Sequence, residues 1–303
     1  MQSCHICKSA METLYAEVTE PETLEKFSIL ACRECGFGQT FPQPANLDSY
    51  YAEYHGKRHG FTADYCARRR VRWLEKSVSK RGRVLDIGCG EGTFLDAATA
   101  KGWNGVGTEL NAGKFQDSDL EVYENLAQVK AKYGAGFFDA ITMWHTLEHF
   151  RNPREILLEA CSLLAPGGAL LVAVPDAGGL QARAFGKFWL HRDVPRHLFH
   201  FNFEALKTLL GQCGFDVKTD WHQEFEYDLL GWSQSALNSM FSQPNVFFKT
   251  LSGHRTNAGF ASRAANFVLG AFLSAFALPL VLLGTLGKKG GTLVICASKV
   301  DNR

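Results

Sequence analysis

Val84-Leu-Asp-Ile-Gly-Cys-Gly-Glu-Gly-Thr-Phe-Leu95 is the stretch that decides how the rest of the chain is read. Val84, Leu85 and Ile87 form an apolar run that predicts a buried strand. Gly88 through Gly92 is a glycine-rich turn, and Phe94 through Lys101 predicts a helix. An open α/β sheet uses this succession of strand, glycine turn and helix to present a nucleotide at the carboxyl end of a strand. Glycines let the backbone approach a ligand where a Cβ would collide, and the following helix aims its free N–H groups at the same place. Asp86, two residues ahead of the first glycine, repels a pyrophosphate and suits a cationic or hydroxyl-bearing ligand.

Downstream, strands and helices alternate, as in a parallel sheet covered by helices. Gly105 to Thr108 predicts a second strand ending in Glu109, which lies 23 residues past Asp86. A carboxylate at that strand end accepts hydrogen bonds from ribose hydroxyls, whether of a nicotinamide cofactor or another nucleoside. Leu120 to Tyr123 predicts a third strand and Phe137 to Trp144 a fourth, running into His145-Thr-Leu-Glu148-His149. Pro153 to Leu164 predicts a helix that ends at Pro166-Gly167-Gly168, before a fifth strand over Ala169 to Val174. Phe203 to Cys213 predicts another helix, and strands six and seven start at Gly214 and Gly291.

At the other end, Cys4-x-x-Cys7 and Cys32-x-x-Cys35 are two identical knuckles separated by 24 residues. Two thiolate pairs at this spacing complete a tetrahedral Zn²⁺ site with no open position, so the expected metal is structural. Short strands are expected over Thr13 to Thr19 and Lys26 to Ala31, and a module this small needs the metal for stability. A redox pair or unliganded thiols are the competing readings. The domain plan is a zinc-ribbon module over 1–45, a linker and helix over 46–80 with the helix from Thr62 to Ser79, and an α/β domain over 81–303. Tyr54, His55 and His59 in the linker are set down as packing residues, with a lid over the cofactor as the alternative.

The net charge of +1 argues against an extended nucleic-acid surface, so no nucleic-acid partner is expected. Met1 is followed at once by polar residues and a Cys-x-x-Cys, unlike a secretory leader, and nine cysteines then point to a reducing compartment.

The Asp86-Ile-Gly-Cys-Gly-Glu-Gly stretch, the strand-end Glu109 and the Leu-x-Pro-Gly-Gly turn together resemble the motifs of class I S-adenosylmethionine (SAM)-dependent methyltransferases. With the two-knuckle ribbon and the Pro/Tyr linker, the order resembles bacterial methyltransferases of sugar and glycan biosynthesis. The resemblance implies a Rossmann-like, seven-stranded α/β fold and SAM as cofactor. It places Asp86, Gly88, Cys89, Gly90 and Gly92 around the cofactor, Glu109 and Leu110 at its ribose side, Asn125 at the adenine, and Met143 and Trp144 facing the sulfonium and acceptor.

Three readings of His145, Glu148 and His149 stay open. On a helix they share one face and shape the SAM pocket, supply a general base near neutral pH, or bind a metal together with a later histidine. The block also resembles the Glu-x-x-Glu-His of ubiquinone-pathway methyltransferases that bind Mg²⁺, with His145 in place of the first Glu. Trp189 to Phe201 has no clean period and reads as a loop over the site. His197 is the first choice for the base, followed by His200, with His149 and His145 as further candidates.

Between strands six and seven lies an apolar insertion over 227–290. Ala264 to Gly287 holds no charged residue, with Arg263 before it and Lys288 and Lys289 after it. Such a run is long enough to cross a bilayer, yet the chain must return to the same sheet. Pro279, Gly270 and Gly284 are expected to break it into a hairpin or an interfacial helix, giving a cytoplasmic protein peripheral on the inner face of the membrane. A core helix or a dimer interface is the alternative. The expected function is methyl transfer from SAM to a small-molecule, sugar, glycan or lipid-linked acceptor at a hydroxyl. The competing class is a non-catalytic SAM-fold scaffold or regulator at the membrane.

Overall fold

A computed structural model describes residues 2–51 and 60–300. Tyr54, His55 and His59 lie outside the described residues. In chain order the strands are β1 (Met11–Thr19), β2 (Lys26–Cys32), β3 (Gly38–Phe41), β4 (Arg83–Ile87), β5 (Asn104–Thr108), β6 (Glu121–Tyr123), β7 (Phe138–Trp144), β8 (Leu164–Pro175), β9 (Phe199–His200), β10 (Phe215–Trp221) and β11 (Thr292–Lys299). The helices are α1 (Asp48–Tyr51), α2 (Gly60–Ser77), α3 (Thr93–Thr99), α4 (Leu126–Tyr133), α5 (Pro153–Leu163), α6 (Leu180–Phe185), α7 (Phe203–Gln212), α8 (Phe225–Met240), α9 (Val246–Ser252) and α10 (Phe260–Leu286). They divide between two units, one holding residues 1–59, 175–206 and 221–293, the other 60–174, 207–220 and 294–303.

The second unit carries the seven-stranded sheet, in the order β10-β11-β8-β7-β4-β5-β6. β4 runs parallel to β5 on one side and to β7 on the other, and β5–β6 and β7–β8 are parallel as well. Continuous apolar runs explain its centre: Val84, Leu85, Ile141, Met143, Leu170 and Leu171 are completely buried. From β4 the chain builds outward to β6, then crosses to β7 on the opposite side. The order therefore reverses at β4, and an open parallel sheet takes ligands beyond the strand ends at such a point. This is the α/β arrangement read from the sequence.

The first unit carries a four-stranded sheet, β1-β2-β3-β9, antiparallel throughout. The ribbon strands appear where expected, at Met11–Thr19 and Lys26–Cys32. One feature corrects the sequence reading. The stretch from Trp189 to Phe201, read as a loop over the site, is not irregular throughout: Phe199 and His200 pair with Gln39 and Gly38 as the fourth strand, and Arg192, Arg196, His197 and Leu198 are all buried. A two-residue strand has no period to detect, and its partner lies some 160 residues earlier.

A second correction concerns the apolar insertion. Neither Pro279 nor the two glycines break it, and α10 is one 27-residue helix with Pro279 inside. Proline removes a single backbone donor, and Pro279 is exposed, so the loss falls on the outer side of the helix. Gly270 and Gly284 serve packing: a Cβ on Gly270 would meet the Phe247 ring at 2.6 Å, and one on Gly284 would meet the Gly290 backbone at 3.4 Å.

Candidate functional site

In the second unit, the turn after β4 is built by three glycines with positive φ: Gly88 at 73°, Gly90 at 55° and Gly92 at 76°. Only glycine adopts this region without strain. The N–H groups of Gly88 and Cys89 both donate to the Thr108 carbonyl at 2.8 and 2.9 Å, which ties the turn to the end of β5. A Cβ on Gly88 would strike Thr146. A Cβ on Gly90 would meet nothing within 4 Å among the described residues, which leaves the backbone there open to an approaching ligand.

Glu109 is half-buried and its Oε2 accepts from the Gly90 N–H at 2.9 Å. The strand-end carboxylate is thus held at the open glycine by the turn itself. Asp86 is buried, and its Oδ1 accepts from the Thr142 hydroxyl at 2.6 Å. Burial pushes its carboxyl up to about 7, against the opposing pull of the Thr142 hydrogen bond and of the Arg70 charge; the negative Glu109 adds to the rise. A buried carboxyl poised near neutrality gains most from a cation brought beside it.

The remaining cofactor candidates divide by environment. Leu110 is 89% exposed beside Glu109. Asn125 caps α4, accepting from the Gln128 N–H at 3.1 Å. Met143 is completely buried in β7, and the Cys89 side chain packs where a Cβ on Gly107 would lie 2.8 Å from its sulfur. Any contact that Cys89 makes to a ligand falls to its backbone. Trp144 is buried between Trp73, Phe94 and the Arg70 guanidinium, with ring centroids 6.2 Å from Trp73 and 5.4 Å from Phe94. Its indole N–H is buried with no acceptor among the described residues.

His145, Glu148 and His149 do not lie on one helical face. Only Leu147–His149 forms a 3-10 turn, and His145 precedes it at φ 54° in the left-handed region. This region is uncommon outside glycine and tends to recur where function constrains the backbone. The His145 N–H donates to the Ala173 carbonyl at 2.9 Å, and His145 Nδ1 stands 3.7 Å from Oε1 of the buried Glu148.

In the first unit, the two cysteine knuckles repeat one geometry. Lys8 N–H donates to the Cys4 carbonyl, and Gly36 N–H to the Cys32 carbonyl; Cys4 N–H donates to Ser9, and Cys32 N–H to Phe37. Lys8 and Gly36 are both left-handed, at φ 66° and 70°. The sulfurs stand 3.5 Å (Cys4–Cys35), 3.4 Å (Cys7–Cys32) and 3.7 Å (Cys7–Cys35) apart. That is far beyond a disulfide and close to the roughly 3.8 Å edge of a tetrahedron with Zn–S bonds of about 2.3 Å. The Ile6 N–H points at the Cys4 sulfur at 3.4 Å. The residues present fit a four-thiolate metal centre.

The histidines of the 191–200 segment are tied into this ribbon. The Thr40 hydroxyl donates to the His197 carbonyl at 2.6 Å and accepts from His200 Nε2 at 3.0 Å. His197 Nδ1 donates to the His191 carbonyl at 2.9 Å, and its Nε2 stands 3.8 Å from Asp193. Arg196 binds both oxygens of Asp193 and reaches the buried Glu20 at 3.5 Å. Burial holds His200 neutral, well below the usual imidazole range. The Asn202 amide donates to the carbonyl of Cys35, so a member of the thiolate cluster is linked directly to the end of this segment. Thr40, Thr142 and Arg70 were missed in the sequence. Thr142 alone leaves a trace there, as the one polar residue in the apolar run from Ala140 to Trp144.

Comparison with known proteins accords with this geometry. A family profile described as "Methyltransferase domain" matches residues 56–219, more than half of the chain. A ubiquinone biosynthesis O-methyltransferase of Aromatoleum aromaticum is 30% identical over 193 residues, 58% of this chain and 78% of that protein. One of the same name from Dechloromonas aromatica is 30% identical over 114 residues, 34% of this chain, so that the match spans only 49% of the relative's length. Among solved structures, a SAM-dependent methyltransferase from Archaeoglobus fulgidus aligns with a TM-score of 0.50 at 18% identity, covering 84% of this chain and 99% of its own. A 1,6-didemethyltoxoflavin N1-methyltransferase of Burkholderia thailandensis, solved with S-adenosylhomocysteine, aligns at 0.50 with 15% identity, covering 93% of this chain and all of its own. At these identities the two structures share a fold with this chain.

Proposed function

Because this chain belongs to the class I SAM-dependent methyltransferase family, we propose that it transfers a methyl group from SAM to the hydroxyl of a small-molecule acceptor. The observation that carries this reading is the open backbone at Gly90 with the Glu109 carboxylate held beside it and the near-neutral Asp86 beneath. SAM, when bound, supplies a methyl group already activated by a sulfonium. Glu109 is set to accept from ribose hydroxyls, and Asp86 offers a carboxylate to a cationic ligand. The protein's remaining task is to align the acceptor and take its proton.

We assign the proton to His145. It sits at the carboxyl end of β7 in a constrained backbone, and the Glu148 carboxylate 3.7 Å away steadies its imidazolium form. His197 ranks lower, because its Nδ1–H and its carbonyl both hold the 191–200 segment together. In this reading His149 lies beside the base as a shaping residue and His200 is structural.

The Cys4, Cys7, Cys32 and Cys35 cluster is proposed to hold one structural Zn²⁺, which suits the spacing of its sulfurs. All nine cysteines are free, and a reducing cytoplasmic compartment is the proposed location. A sugar, glycan or lipid-linked molecule is the finer acceptor class proposed. Calorimetry with SAM tests the cofactor: one site per chain is expected, and no heat at millimolar SAM overturns the reading. His145→Ala should abolish turnover while SAM still binds, and full activity would move the base elsewhere. Elemental analysis should find one zinc per chain.

A further inference from the structure

The 27 residues of α10 extend about 40 Å, the length of a helix that crosses a bilayer. Its two faces differ sharply. Asn266, Gly270, Ala277, Val281 and Gly284 are buried, at the spacing of one helical stripe. That stripe is already occupied within the first unit. Gly270 seats the Phe247 ring of α9, Phe247 meets Phe267 edge-on at 6.1 Å, and Gly284 meets the Gly290 backbone. The other face carries Phe260 (86% exposed), Val268 (70%), Phe272 (58%), Phe276 (62%), Leu283 (58%) and Leu286 (74%). Nothing else in the described chain exposes such a row of large apolar side chains, and a row of this kind marks an interaction surface.

Charge identifies the partner. The row holds no ionisable group, while Arg255 and Arg263 at one end and Lys288 and Lys289 at the other are exposed. An apolar face bounded by cations fits an anionic lipid surface, with the side chains among the acyl chains and the cations at the phosphates.

The neighbours of α10 decide its orientation. α8 packs along it and buries Asp228, Ser233, Gln234 and Ser235. Its bonds lead into the same unit, with Gln181 donating to the Asp228 carbonyl at 2.7 Å and Leu190 to the Ser235 hydroxyl at 2.9 Å. Three residues past α10, the Lys289 carbonyl accepts from Leu180, and Gly291 accepts from Asp176. A crossing helix would drag these polar partners into hydrocarbon. We therefore propose that α10 lies in the plane of an anionic membrane surface, inserting Phe272 and Phe276 together with Val268 and Leu283, and does not span the bilayer.

This inference does not depend on methyl transfer and is tested without it. The full chain should float with vesicles of equimolar phosphatidylcholine and phosphatidylglycerol, and binding should weaken with added salt and on pure phosphatidylcholine. The double variant Phe272→Glu/Phe276→Glu should reduce partitioning by roughly tenfold or more while leaving SAM binding intact. Tryptophan placed at Val268, Phe276 or Leu283 should be quenched equally by brominated lipid, at one shallow depth. A graded depth along the helix would overturn the in-plane orientation. No flotation, or a stable dimer that masks the same tryptophans without lipid, would overturn the lipid surface itself.

Discussion

The glycine turn after β4 and the 191–200 segment both hold polar groups that a sequence reader marks as functional, but they are built in opposite ways. In the turn the geometry is set by the chain's own conformation: three left-handed glycines, and partners from β5 and Glu109 about twenty residues on. In the segment, bonds within it, such as Arg196 to Asp193, are joined by partners from the N-terminal ribbon, with Thr40 and Glu20 reaching across some 160 to 180 residues. The first region keeps open backbone at Gly90, whereas the second is buried. A run of polar and aromatic residues therefore signals a constrained position, and only the surroundings say whether it faces a ligand or a fold.

The largest separation between the two regions should come from the proposed zinc site. Cys32→Ser removes one of the four thiolates proposed to hold it, and a structural zinc contributes on the order of 10 kcal/mol to local order in small zinc modules. Hydrogen exchange should become fast over residues 193–200 while SAM affinity is kept; a parallel loss of SAM binding would break the contrast. Gly88→Ala comes next. It forces a side chain into φ 73° and against Thr146, which should cost about 2–4 kcal/mol in urea unfolding, against about 1 for Gly90→Ala, where space is open.

Asp86 gives the pH signature. Its carboxyl titrates near 7 when folded and near 3.8 when unfolded, so the unfolded chain gives up its proton first as pH rises. Stability is fully present below pH 3.8 and is lost between there and about 7. Asp86→Asn should flatten that slope in thermal unfolding. A cationic ligand favours the ionised form, so SAM should bind roughly tenfold more weakly for each pH unit below 7, and the variant should lose that dependence. The smallest effect is expected for Thr40→Val, which strips the His197 carbonyl and His200 Nε2 of their shared partner. It should cost about 1–3 kcal/mol and leave SAM affinity unchanged.

Local signals carried most of what could be read in advance. The glycine turn, the strand-end acid Glu109, each Cys-x-x-Cys knuckle and the seven strands each carry their own short pattern of residue types, and local sequence pattern records such features. Three features depend on distance or on context. β9 is too short to show alternation and is held by β3. His145 looked like the start of a helix, but its N–H is claimed by β8, and the helical spacing never forms. Pro279 looked like a break, yet α8 and α9 pack along α10 and keep the helix continuous. Trp144 shows the converse: its place at the strand end was readable, and its burial under Trp73 and Phe94 was not.

The pairing of β9 with β3 also sets a timetable for synthesis. The two knuckles and the first three strands are translated well before β9. The edge of β3 then waits while β4 to β8, five of the seven strands of the large sheet, are translated, because its partner is Phe199–His200. For that interval an unpaired strand edge is exposed, and such an edge accepts strands from other chains. A nascent chain stalled short of residue 199 would carry a ribbon with one open side, so newly made copies stay exposed to strand exchange until β9 is translated.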